Sequence, residues 1–224
     1  MTEKNFYLEV VNHADMPGAF CLYQIDPTPD SNALSLVWLA KRVNAGTHVL
    51  FEWEVTWGFI WQETAPNAEE DSVIAYQTVP ATLQHDNKIG LAKKNDAYLF
   101  EHQEDGPEGR LTIHTDGTVP TSQTLAGVTM DGKGIYADRV RPNYQWYYEP
   151  SPNYMVGFGN YRQRAVVEES SAFVEPKKIT YPYQVSALSI ELKSDNTWTA
   201  PTPLSESMLK RLLREKDKEE DSPP

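Results

Sequence analysis

The sequence predicts an all-β fold: a single-domain antiparallel β-sandwich of roughly 12 to 15 short strands, followed by a short C-terminal amphipathic helix. Three observations predict it. Aromatic residues make up 11% of the chain, with 6 Trp and 12 Tyr, a bias that suits strands better than helices. The 16 Pro are spread along the whole length and exclude long helices. Short runs of β-forming residues recur between Gly, Asn, Asp and Pro turn signals.

Strands are expected at Phe6 to Asn12 and Ala19 to Ile25, on either side of Ala14-Asp-Met-Pro-Gly18, and at Leu34 to Ala40. Asn44-Ala-Gly46 then leads into the long segment Val49 to Thr64, and the polar stretch Ala65 to Asp71 reads as a loop. Further strands are predicted at Ser72 to Gln77, Lys88 to Ala92, Ala97 to His102, Leu111 to His114, Tyr144 to Tyr148, Tyr154 to Phe158 and Val185 to Leu192. Glu104 to Gly109 reads as a hairpin loop joining two of these. Asp131 to Gly134 reads as a second, joining Val128-Thr-Met130 to Ile135-Tyr-Ala137, because Gly accepts a positive φ without steric cost.

Residues 1–200 are assigned to the β domain and 201–224 to a helix and mixed-charge tail. Leu204 and Ser205 suit a staple and N-cap for a helix whose apolar face is Met208, Leu209, Leu212 and Leu213.

The most unusual segment is Phe51 to Trp61. Its odd positions, Phe51, Trp53, Val55, Trp57, Phe59 and Trp61, put an aromatic face on one side of a strand, and Glu52, Glu54, Thr56, Gly58, Ile60 and Gln62 make a mostly polar face on the other. The segment exceeds the usual strand of about five or six residues, so it is expected to bend at Gly58 and to serve both sheets. Core filling is the first explanation of its rings; an aromatic ligand groove and a self-association surface are the second and third. The other aromatic cluster, Tyr144 to Tyr148 with Tyr154, Phe158 and Tyr161, carries rings on both faces of its strand, so a loop, the helix or another subunit should cover one of them. Trp53, Trp57, Trp61, Tyr147, Tyr148 and Tyr154 are therefore the candidate ligand or interface residues.

Catalytic and metal motifs are absent from the sequence. The 5 His show no HxH, HxxxH or HExxH spacing, and no metal site or cofactor is expected. His102 and His114 flank the predicted Glu104 hairpin and would face each other across it. Glu52 and Glu54 share a strand face at about 7 Å, a separation that suits paired-carboxylate chemistry. These four are the acid/base candidates should the protein be an enzyme, although no pairing raises one pKa over another. Asp116-Gly117, Asp131-Gly132 and Asp195-Asn196 lack the alternating ligands of a calcium loop and are explained as turns.

A formal charge of −12 repels a phosphate backbone and argues against nucleic acid as a partner. The single cysteine, Cys21, lies in the apolar run Ala19 to Tyr23 and reads as a buried structural thiol. No stretch is long and apolar enough to span a membrane and the first residues show no hydrophobic signal region, so a cytoplasmic location, with release by a non-classical route left open, is the expectation.

Several segments taken together resemble the RhiA-like family: Val55 to Thr64, Leu111 to Thr118, Pro152 to Gly159 and Leu192 to Trp198. The resemblance covers about residues 5–200 and leaves out the C-terminal helix. It implies a compact β domain expressed in communal or host-associated life, and it assigns no catalytic residues. The expected function is accordingly a non-enzymatic binding or self-assembling protein that takes a small apolar molecule, a glycan or a second copy of itself. The alternatives are an acid/base enzyme with an aromatic cleft and a lectin-like carbohydrate-binding module.

Overall fold

The computed structural model describes residues 5–28, 31–64 and 73–220, the side chains of 217–220 excepted. The predicted loop at Ala65 to Asp71 lies outside the described residues. In chain order the strands are β1 (Asn5–Asn12), β2 (Gly18–Gln24), β3 (Leu34–Ser35), β4 (Leu39–Val43), β5 (His48–Glu54), β6 (Trp57–Thr64), β7 (Val73–Ala81), β8 (Lys88–Lys94) and β9 (Ala97–Glu104). They continue with β10 (Leu111–Thr115), β11 (Leu125–Met130), β12 (Lys133–Arg139), β13 (Gln145–Tyr148), β14 (Tyr154–Gly159), β15 (Ala172–Ile179), β16 (Ala187–Leu192) and β17 (Thr202–Pro203). The helix α1 spans Glu206–Glu220.

Among the described residues these strands form four sheets, ordered β17-β16-β1-β5, β15-β14-β2-β4, β3-β12-β11-β6-β7 and β13-β10-β8-β9. Pairing is antiparallel except at β1 with β16 and β10 with β8, which are parallel. One apolar core, drawing on all four sheets, holds Leu8, Phe20, Trp38, Trp53, Phe59, Ile113, Tyr136 and Phe158.

The aromatic segment does serve two sheets. β5 pairs with β1, and β6 pairs with β11 and β7. The break falls at Val55-Thr56, ahead of Gly58. Gly58 instead permits close approach: a Cβ there would lie 2.6 Å from the Val79 carbonyl oxygen and 2.7 Å from Thr129 Oγ1. The predicted strand Leu34 to Ala40 also divides, because its middle switches sheets: Leu36 N–H donates to Ile135 O, whereas Trp38 N–H donates to Leu22 O.

The odd face of the segment is mainly core: Phe51, Trp53, Phe59 and Trp61 are buried, and Val55 and Trp57 half-buried. The indole donors are satisfied internally, Trp53 Nε1 to Tyr154 Oη at 3.1 Å and Trp61 Nε1 to Gln77 Oε1 at 3.0 Å. Its even face does not stay open along β6. Ile60 and Gln62 are buried, the Gln62 amide donating to Arg164 O over 3.0 Å.

Glu104 to Gly109 is not a hairpin. β9 folds back on β8, and β10 lies on the other side of β8. The tight turn is Asn95-Asp96, both with positive φ (51° and 62°), which matches a two-residue hairpin connection. The turn at Asp131-Gly132 joins β11 to β12 as expected, with φ of 51° and 66°. β15 is an unpredicted strand, since Pro176 and two lysines mask its pattern. Ser205 caps α1 through its Oγ, which accepts from Met208 N at 3.3 Å. Leu212 is buried against the sheet, and Met208, Leu209 and Leu213 are half-buried.

Candidate functional site

Where β1, β14 and β15 end together, three rings wall an open groove of about 380 Å³. Phe6 comes from β1, Tyr154 from the start of β14, and Tyr181 from the loop between β15 and β16; Lys178, Thr180 and Gln184 add polar groups. The rings meet edge to face, Phe6 to Tyr181 at 5.1 Å and Tyr154 to Tyr181 at 5.8 Å, an arrangement favoured by the ring quadrupoles. Trp53 backs all three, its centroid 5.1 Å from that of Tyr154, 5.9 Å from that of Tyr181 and 6.1 Å from that of Phe6. Trp38 lies behind Trp53 at 5.3 Å.

The polar ends of these rings are anchored. Tyr181 Oη donates to Tyr7 O at 2.8 Å, and Tyr154 Oη accepts from Trp53. Burial pushes the Tyr154 hydroxyl up to about 12 and raises that of Tyr181 as well, so both are neutral at physiological pH. A wall of neutral phenols and a phenyl ring offers apolar and π contact, with Lys178 and Gln184 as polar groups at the groove.

A family model for RhiA matches residues 3–202, a span that holds every residue of this groove. The chain belongs to the RhiA family. It is 25% identical over 195 residues to Protein RhiA of Rhizobium leguminosarum bv. viciae, which covers 86% of this chain and 84% of that protein. No solved structure matches it. Helix α1 lies beyond the RhiA match.

Against this frame the sequence-predicted residues separate. Tyr154 lines the groove and Trp53 backs it. Trp61 is buried elsewhere, 5.8 Å from Tyr98, and Trp57 is half-buried against the core. Tyr148 is buried, whereas Tyr147 is exposed on the outer face of β13 with the Arg110 guanidinium 4.9 Å from its ring centre. Rings of the second aromatic segment therefore stay largely exposed, Tyr144 at 45% and Tyr147 at 49%, where a cover was expected.

The acid/base candidates fall on two sheets. Glu52 accepts from Asn5 Nδ2 at 3.1 Å and pairs with Lys216 of α1 at 2.9 Å; Glu54 is half-buried at the end of β5. His102 and His114 belong to the β8 sheet and do not face each other across a hairpin, because β8 runs between their strands. Gly90 of β8 is opposite Glu101 on one side and His114 on the other. His102 is exposed and its Nε2 lies 3.6 Å from Glu101. Phe6 and Tyr181 were not singled out from sequence; the aromatic-Pro-aromatic run Tyr181-Pro-Tyr183 is the signal that points to them. No helix among the described residues is long and apolar enough to cross a membrane.

Proposed function

We propose that this RhiA family member is a non-enzymatic binding protein whose groove at Phe6, Tyr154 and Tyr181 takes a small apolar molecule or the apolar face of a sugar ring. The observation that carries this reading is an open groove walled by the half-buried rings of Phe6 and Tyr181 over the buried Tyr154 and Trp53, with its phenols held neutral. Rings in a pocket supply contact area at little cost in conformational freedom, and Lys178 and Gln184 supply orientation. A role in host- or community-associated life is part of the same proposal, supported by the RhiA resemblance.

Trp53 is the built-in reporter. Titration with a panel of mono- and disaccharides and small aromatic and aliphatic compounds should give a saturable change in tryptophan emission with at least one class. Tyr181→Ala should weaken that change at least tenfold. An emission spectrum indifferent to the whole panel sinks the reading.

A subunit contact is the second reading, favoured by Ile74 and Tyr76 on the edge strand β7, which are 62% and 48% exposed. Light scattering that gives a monomer at all accessible concentrations removes it.

A further inference from the structure

The groove at Phe6, Tyr154 and Tyr181 changes character between its floor and its rim. The floor is apolar: Tyr154 and Ile179 are buried there, and Phe6, Tyr181 and Val185 are half-buried. Both phenol oxygens are already taken by the protein, Tyr181 Oη donating to Tyr7 O at 2.8 Å and Tyr154 Oη accepting from Trp53 Nε1 at 3.1 Å. The hydroxyls of a ligand laid on this floor would give up water and meet only committed phenols, a cost that a hydrocarbon body does not incur. On these terms the floor favours hydrocarbon over sugar.

The rim carries the polarity. Lys178, Thr180 and Gln184 line the same groove and are exposed. Ile179 pairs with Tyr154 and Lys178 with Met155, so successive residues of β15 turn to opposite sides and Lys178 stands outward of the ring wall. A ligand whose body lies on the rings therefore meets an ammonium at its outer end.

Charge selects the end group. The chain carries 32 acidic and 20 basic side chains, yet among the described residues no Asp or Glu lines the groove, and Lys178 is its one charged residue. Lys178 has no ion-pair partner among the described residues either. A negative end group is thus attracted locally on a chain whose formal charge of −12 repels anions elsewhere.

We propose that the groove selects small apolar carboxylic acids, with the hydrocarbon body on Phe6, Tyr154 and Tyr181 and the carboxylate at Lys178; this rests on the groove being a ligand site at all. Its volume of about 380 Å³ lies at the low end for small-molecule sites and suits a short acid better than a long-chain one. The rings supply the affinity. The ammonium, being exposed, supplies mainly selectivity, because a solvent-screened pair is weak.

Calorimetric titration of the full chain with 4-phenylbutyrate and with 4-phenylbutanol, which share a body and differ in the charged end, tests this. The acid is expected to saturate with Kd on the order of 10⁻⁴ to 10⁻³ M and to bind about three- to fivefold tighter than the alcohol at low salt. That preference should vanish in Lys178→Met, an exposed position where the fold is not at stake, and in about 1 M NaCl, where charges are screened within about 3 Å. Tyr181→Ala should weaken both compounds alike. An alcohol that binds as tightly as the acid, or a preference that survives Lys178→Met, overturns the inference and leaves the groove itself standing. Acid binding unaltered by Tyr181→Ala overturns it too, since the acid is then held elsewhere. If methyl glucoside binds in a Tyr181-dependent way and neither phenyl compound does, the acid inference alone falls; if nothing binds, the groove reading falls with it.

Discussion

Trp53 donates its indole N–H to the Tyr154 hydroxyl across 3.1 Å, and that bond joins β5 of one sheet to β14 of another. Both rings are almost fully buried, so neither partner has water as a substitute. Tyr154→Phe keeps the ring and strands the indole donor. The expected loss is about 1–3 kcal/mol, the cost of an unsatisfied buried group, read as a lower midpoint in urea unfolding with an unchanged slope. A loss within experimental error would mean that the indole finds another acceptor.

The buried phenols set the behaviour in alkali. Burial pushes Tyr23 and Tyr154 up to about 12 and raises Tyr136, Tyr148 and Tyr181 as well, whereas an unfolded tyrosine titrates near 10. The native state therefore holds these protons more tightly than the unfolded chain. Their contribution is fully present below about pH 10 and is lost as pH rises toward 12. Tyrosinate absorbance from the buried rings should consequently appear only as circular dichroism reports unfolding. A single smooth titration completed before unfolding would contradict the enclosure of these rings.

The hairpin β8-β9 turns on Asn95 and Asp96, both held at positive φ. Asn and Asp tolerate that region because their short polar side chains bond locally; a β-branched residue does not. Asn95→Val should cost about 1–2 kcal/mol in thermal unfolding, and Asp96→Gly should cost nothing. Equal effects of the two changes would show that the turn is set by its strands.

That turn also shows where the sequence is legible and where it is not. Local chemistry was readable: alternation from Phe51 to Glu54 in β5, the Asp131-Gly132 turn and the Ser205 cap all appear where their residues place them. Pairing partners were not, because the Gly-rich stretch after Glu104 looks more like a hairpin than Asn95-Asp96 does, and nothing local tells β10 to pass β8 and pair in parallel. The groove was half legible. Trp53 and Tyr154 stand out as aromatic residues in strong β patterns, whereas Phe6 meets Trp53 through the long-range pairing of β1 with β5, and Tyr181 arrives on the loop that leads into β16, the parallel neighbour of β1.

Helix α1 is tied to the body by two contacts of unequal weight. Leu212 is 3% exposed in a helix that otherwise faces water on most sides, and Lys216 pairs with Glu52 in a half-exposed bridge. Apolar burial outweighs a solvent-screened pair, which contributes about 0–1 kcal/mol. Leu212→Ala should therefore release α1 far more than Lys216→Gln, seen as fast amide exchange through 206–220 with strands β1 and β5 still protected. The loss in global stability is capped by the docking free energy, since the helix detaches before the sheets open. Should Lys216→Gln free the helix as fully as Leu212→Ala, the ion pair would be the true anchor, and raised salt would then undock α1 in the unaltered protein.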